Sequence, residues 1–248
     1  MALEDEFAAF TAGAQEDSRV VGLILTGSRA REGAASEHSD HDVTVVAADG
    51  EAEQLAVQER RDAAFDVAVM SLRDFRGHAL PGSGTEWHRA AFTRAKILKD
   101  TSDGVIAALV AEKARLSPFE ASRTAADALD AFLNAVYRSA ENARDGYALA
   151  SRLDAAEAVT PYLTCLFALH GRVRPYHKYL AAELRDEPLG DPEWAYDNLA
   201  PLLEAAVSDD GLAAVRALLD GLDVPARKAG LGEVFAGWGD DLRIIRGG

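Results

Sequence analysis

Two short segments carry the residue types from which a reaction centre could be built. The first is Gly27-Ser28-Arg29-Ala30-Arg31, at the end of an apolar run; the second is Asp40-His41-Asp42, at the start of another. On a strand, residues two apart share a face, so Asp40 and Asp42 point one way and His41 the other. Two carboxylates on one face at a strand end make a hard-oxygen site suited to Mg²⁺. A Gly-Ser turn beside a helix start offers backbone N–H groups and a hydroxyl, which suit phosphate oxygens. Together they imply nucleotide chemistry. Taken alone, an Asp-x-Asp is more often an acidic surface turn and a Ser a helix cap. The joint pattern of apolar strand, Gly-Ser, spacer and Asp-x-Asp opening a second strand reverses that preference. Arg29 and Arg31 can reach part of a phosphate chain if the turn points them inward. His41 is expected to be partly buried and satisfied rather than a ligand, and His38 to be exposed in the loop.

This pattern resembles the signature of the polymerase-β-like nucleotidyltransferase superfamily: an apolar residue, Gly, Gly or Ser, a spacer, then Asp-x-Asp with apolar flanks. Here eleven residues separate Ser28 from Asp40. The resemblance is closest to the bacterial small-molecule branch that includes aminoglycoside adenylyltransferases, and it covers the first hundred residues better than the rest. It implies a third carboxylate on a following strand, a position held by Asp66 in Phe65-Asp66-Val67-Ala68-Val69. It also implies Gly27, Ser28 and Arg29 at the nucleotide, and a triphosphate-contacting lysine in the second half, matched by Lys178. The implied reaction is in-line attack by an acceptor hydroxyl on the α-phosphorus of a nucleoside triphosphate, ATP first among them. Asp40 and Asp42 would hold Mg²⁺, and Asp66 would complete a second metal site or take the proton. The acceptor would lie between the two halves of the chain. Two departures stand out: the loop reads Arg31-Glu32-Gly33 where relatives often place Gly directly after the second Arg, and His41 fills a position that is usually apolar.

The elements needed to position these residues follow from hydrophobic spacing. Leu3–Glu16 has helical periodicity. Val20–Leu25, Asp42–Ala47, Phe65–Met70 and Ala95–Leu98 read as strands, with short helices at Ser71–Leu80 and Thr85–Phe92 around Pro81-Gly82-Ser83-Gly84. The expected fold is an α+β or α/β first half with a small mixed sheet, residues 1–102, followed by an all-helical bundle, residues 103–248. Ser117-Pro118-Phe119-Glu120 is a capping-box start for a helix running to Gly146. Ser151–His170 and Pro175–Leu184 follow, then three or four helices bounded by Pro192, Pro201, Gly211, Pro225 and Gly237. In this half Arg172, Arg174, His177 and Lys178 form a basic cluster, while Glu141, Arg144 and Asp145 are further polar groups. Trp87, His88, Arg89 and Arg94 are expected to line the cleft without doing chemistry, and Trp194 and Trp238 to be core.

Composition bounds the function. The chain has 248 residues and a formal net charge of −15, which disfavours a nucleic-acid partner and suits a cationic small molecule. Mean hydropathy of −0.10 describes a globular protein. No apolar run reaches the roughly 18 residues of a membrane span. The start, MALEDEF, lacks the order of a signal peptide, and a lone Cys165 suits a reducing cytosol. Two other functions compete with a small-molecule nucleotidyltransferase: a protein adenylyltransferase of toxin–antitoxin type, which the long helical half disfavours, and a nucleotide-binding module without catalysis.

Overall fold

The computed structural model describes residues 3–247. The chain divides into two compact units, residues 1–115 and 116–248. The division falls later than the expected 102/103. Helix α3 (Val105–Ala114) belongs to the first unit because Ile106, Leu109 and Val110 pack into its core with Ile24, Val46, Phe75 and Phe92.

Among the described residues of the first unit, five strands form one mixed sheet in the order β3-β4-β2-β1-β5. They are β1 (Val20–Thr26), β2 (His41–Ala47), β3 (Arg60–Arg61), β4 (Phe65–Ser71) and β5 (Lys96–Asp100). β2 runs parallel to β4 and antiparallel to β1, and β5 is antiparallel to β1. Strand alternation puts Leu23, Leu25, Val43, Val45 and Phe65 on one face, where helix α1 (Leu3–Glu16) covers them with Phe7 and Phe10. Lys99 ties α1 to the sheet by donating to the carbonyls of Ala14, Gln15 and Asp17, the last of α1 and the turn after it. The opposite face carries Ile24 and Val46 and is covered by α2 (Leu72–Gly77), a 3-10 segment (Glu86–Arg94) and α3. α3 packs closely on Gly22: a methyl there would stand 2.8 Å from the Ile106 side chain.

The expected strands are present, each extended or shifted by a residue or two. The two-residue β3 was not foreseen, since Arg60-Arg61 has no apolar alternation and owes its conformation to pairing with β4. Thr85–Phe92, expected as a short helix, is the 3-10 segment.

The second unit is helical. α4 (Pro118–Arg144) begins with the foreseen capping box: the Ser117 hydroxyl accepts from the Glu120 N–H and the Glu120 carboxylate accepts from the Ser117 N–H. α4 packs along α5 (Ala148–Leu169) through Leu129, Phe132, Leu133, Val136, Tyr162 and Leu166. α6 (Leu180–Asp186), α7 (Tyr196–Ala206), α8 (Gly211–Lys228), α9 (Gly232–Gly237) and α10 (Asp241–Arg246) follow. The helix expected from Pro175 starts instead at Leu180, preceded by a 3-10 turn at His177–Tyr179. Pro201 and Pro225 lie inside α7 and α8 rather than at their ends, at the cost of one backbone hydrogen bond each. No helix among the described residues is long and apolar enough to cross a membrane.

Candidate active site

Strand directions bring the singled-out residues of the first unit to one edge of the sheet. β2 and β4 are parallel and both begin there, while the antiparallel β1 ends there. In the ladder Asp42 is the partner of Thr26 on one side and of Asp66 on the other. Asp42 and Asp66 thus sit side by side on neighbouring strands, about 4.8 Å apart in backbone spacing, and project from the same face. Both are half-buried. That face is the one that carries Val46, away from α1.

Gly27 fits tightly under this pair. Its φ is +66°, a conformation that favours glycine, and a Cβ built on it would lie 1.8 Å from Asp42 Oδ2 and 2.7 Å from Asp42 Cγ. The Asp42 carboxylate occupies the volume that a side chain at position 27 would need. Ser28 follows as a buried residue, and its carbonyl accepts from the Arg31 N–H. The Gly-Ser turn was expected beside a helix start. Residues 27–40 instead form successive turns, closed by the N–H of Ala34 donating to Arg31 and that of Ser39 to Ser36, so no helix begins within this segment.

Asp40 is a half-buried loop residue immediately before β2. The loop is held by Arg29, whose Nε donates to the Ser39 carbonyl at 2.9 Å and whose Nη1 pairs with Glu4 of α1 at 2.6 Å. The expected phosphate contact by Arg29 therefore meets a guanidinium already committed to bracing loop against helix. Arg31 donates to Thr93 Oγ1 at 2.9 Å. His41 points to the α1 face, as the alternation required: its ring stacks on Phe7 with centroids 3.9 Å apart, and it is 1% exposed. It is not satisfied, however, since Nδ1 is buried without a partner. Burial and then the Arg29 charge push its pKa down, so it is neutral at pH 7. His38 is exposed.

Among the described residues no three His, Cys, Asp or Glu side chains converge into a metal cage. The β2–β4 ladder sets Asp42 and Asp66 side by side, with Asp40 in the loop just before β2. That donor set fits Mg²⁺, which is held by one or two carboxylates and completes its shell with water and phosphate oxygens. Asp66 has a cation of its own nearby: Arg61 of β3 lies opposite it, Nε to Oδ2 at 3.7 Å, on a guanidinium that is largely exposed. Water screens such a pair, so it is weak competition for a divalent ion.

Two half-buried histidines of the first unit meet, a contact not foreseen from the sequence. His78 Nε2 and His88 Nδ1 are 2.8 Å apart. Burial, then the charge of His78, carries the pKa of His88 down to about 4, against a smaller opposing effect of the Asp66 carboxylate. The two histidines flank the Pro81-Gly82-Ser83-Gly84 turn, which was the available signal for their meeting. Trp87 is 71% exposed at the same 3-10 segment. Arg89 lines nothing: it is buried and donates to the carbonyls of Glu112, Lys113 and Arg115, capping the end of α3.

In the second unit the basic cluster is mostly internal bracing. Arg172 pairs with the buried Glu183 at 3.0 Å and donates to the Glu187 carbonyl; Arg174 donates to Thr164 Oγ1 and the Pro175 carbonyl. Lys178 is exposed on the 3-10 turn, its ammonium 5.4 Å from the centroid of the Tyr179 ring. Glu141 accepts from the Tyr137 hydroxyl, and Arg144 pairs with Asp145 and Glu141, as ordinary charges at a helix end do. Trp194 is core with a buried, unpartnered Nε1. Trp238 packs on that core and donates to Asp130. Burial raises the Cys165 thiol to about 12, so it is no nucleophile.

No family model matches the chain, and no curated protein does. Among solved structures, a nucleotidyltransferase-like protein from Exiguobacterium sibiricum 255-15 is similar over 92% of this chain and 77% of its own, at 12% identity and a TM-score of 0.46. That degree of likeness is too low to transfer a site or a substrate.

Proposed function

We propose that the first unit is a nucleotidyltransferase centre that transfers a nucleoside monophosphate, AMP from ATP, to a hydroxyl of a small molecule. The observation that carries this reading is the in-register pair Asp42 and Asp66 on one face, with Gly27 leaving room for the Asp42 carboxylate. Mg²⁺ held by Asp42 and Asp66 would offset the charge of the triphosphate and of the leaving pyrophosphate. Asp42, fixed over Gly27, orients its oxygens toward the phosphate chain. Asp66, next to it and partly exposed, is placed to accept hydrogen bonds from the acceptor hydroxyl. Asp40 extends the negative edge toward the loop, and the Gly27-Ser28 turn supplies main-chain groups for the phosphates. The acceptor class that suits a chain of charge −15 is a polycationic alcohol of the aminoglycoside kind, met in a cytosolic setting.

Asp42→Asn and Asp66→Asn preserve shape and remove charge. Incubation with Mg-ATP and a panel of amino-alcohol antibiotics, followed by mass spectrometry, is expected to show an adduct of one adenylyl mass with the wild-type chain. Both variants should lose it by about 10³-fold or more, the scale on which loss of a preorganised charge acts. An adduct that persists at the wild-type rate in either folded variant refutes the assignment.

A further inference from the structure

The second unit holds a cavity of about 730 Å³, a volume in the range that takes a small organic molecule. Every residue around it belongs to this unit: it is walled by α5, α7, α8 and the 3-10 turn Pro192–Trp194. Its floor is apolar and aromatic, made by the buried Tyr162, Trp194, Leu199 and Leu218. Its rim carries three carboxylates, Asp191, Glu193 and Asp220, against one ammonium, Lys228, and all four residues are exposed. Asp191 accepts from the Glu193 N–H at 3.0 Å and caps the 3-10 turn. Glu193, Asp220 and Lys228 form no ion pair among the described residues.

The walls leave polar groups over. Gly221 lies in the interior of α8, where glycine weakens a helix. A Cβ there would stand 3.2 Å from Glu193 Oε2, so the missing side chain lets that carboxylate rest against α8. Pro225, four residues on, has no N–H to give the Gly221 carbonyl its helical partner. One carbonyl and two carboxylates are thus acceptors without donors. Trp194 has the opposite need: its indole N–H is buried and has no acceptor in the protein. A buried donor left unmade is costly, which marks this wall as incomplete on its own. Charge at the rim, three carboxylates against one ammonium, selects a cation. The ring faces of Tyr162 and Trp194 favour a cation over them as well. A fully polar ligand gains nothing from the floor, which must be covered by an apolar body.

We propose that this cavity is a binding site for an organic ammonium ligand with an apolar, aromatic-sized body and one acceptor oxygen, an aryl amino alcohol in its simplest form. The ammonium lies at Glu193 and Asp220, the body covers Tyr162, Leu199 and Leu218, and the oxygen accepts from Trp194 Nε1. The site is independent of the transfer reaction proposed for the first unit, since no residue of that unit takes part in it.

Titration of the full chain with 2-amino-1-phenylethanol, followed in ¹H–¹⁵N correlation spectra, tests it. The Trp194 indole N–H signal is expected to shift saturably, with a Kd of about 1 mM or below, as befits so small a probe. 1-Phenylethanol, which lacks the ammonium, and 2-phenylethylamine, which lacks the oxygen, should each bind at least about threefold more weakly. Glucosamine, an amine with a polar body, should leave the signal in place. The exposed pair Glu193→Gln with Asp220→Asn should weaken the amino alcohol by about tenfold and leave 1-phenylethanol unchanged. Gly221→Leu puts a good helix former on the wall, so it should fill the cavity and abolish the shift without lowering Tm. Absence of a saturable Trp194 shift up to about 10 mM probe overturns the site. So does 1-phenylethanol binding as tightly as the amino alcohol, glucosamine matching it, or a Kd unchanged in the double variant or in Gly221→Leu. Asp42→Asn should bind the probe like the wild type, so a failed transfer assay and a failed titration count against different proposals.

Discussion

Gly27→Ala places one methyl group against the proposed centre, and the structure sets the size of the effect. The new Cβ would stand 1.8 Å from Asp42 Oδ2. Carbon–oxygen contacts settle near about 3.3 Å, so the carboxylate must retreat by roughly 1.5 Å. Holding alanine at a positive φ adds about 1 kcal/mol of backbone cost that glycine does not bear. Because Asp42 is half-buried, its side chain can swing away, and the fold should survive with a modest loss of stability. Its function should not. Misplacing a reacting group by about 1 Å costs on the order of 10²-fold, so pyrophosphate release from Mg-ATP should fall at least that far. Calorimetric titration with Mg²⁺ and a non-hydrolysable ATP analogue should show the divalent-dependent part of nucleotide binding weakened. A double-mutant cycle isolates the cause. In an Asp42→Ala background there is no carboxylate to displace, so Gly27→Ala should cost only the backbone contribution in thermal unfolding and nothing further in metal-dependent binding. Equal costs in the two backgrounds, or a Gly27→Ala chain with wild-type metal dependence, would refute the steric argument.

Two further outcomes follow from buried cations. Burial lowers Lys113 from its ordinary 10.5 to about 8, so above pH 8 the unfolded chain binds this proton more tightly than the folded one. Stability should therefore rise with pH from about 8 to about 10.5 by up to about 3 kcal/mol through this group. Plotted against pH, the melting temperature of wild type minus that of Lys113→Met should climb through this window, and a flat difference would contradict the shift. Arg89→Ala removes the donor to three carbonyls at the end of α3 and should cost about 3 kcal/mol in urea unfolding. Arg89→Lys should recover only a minor part, since a point ammonium does not span the three acceptors; a near-neutral Arg89→Ala would show that α3 does not depend on this cap.

Much of the local architecture is legible in the amino-acid order. Val20–Thr26 and His41–Ala47 are apolar runs bounded by turn residues, and the Ser117–Glu120 capping box announces α4, because strand period, helix period and caps depend on neighbours a few residues apart. The same alternation places Asp42 and His41 on opposite faces, and the stacking of His41 on Phe7 agrees. Gly27, Ser28, Asp40 and Asp42 stand out as one constellation on spacing alone.

Long-range pairing supplied what spacing could not. That Asp42 lies beside Asp66 depends on the parallel register of β2 and β4, which no local pattern encodes. Arg29 looked like a phosphate ligand because a guanidinium is chemically suited to one, but Glu4 and the Ser39 carbonyl, distant in sequence or across the loop, claim it. Arg89 became a cap and Lys113 a buried charge only when α3 folded back onto the sheet. The joining of His78 to His88 depended on how the turn between them closes. A residue's type and neighbours set its chemistry and its local conformation, whereas its partner and its share of water are set by chain segments that meet through packing.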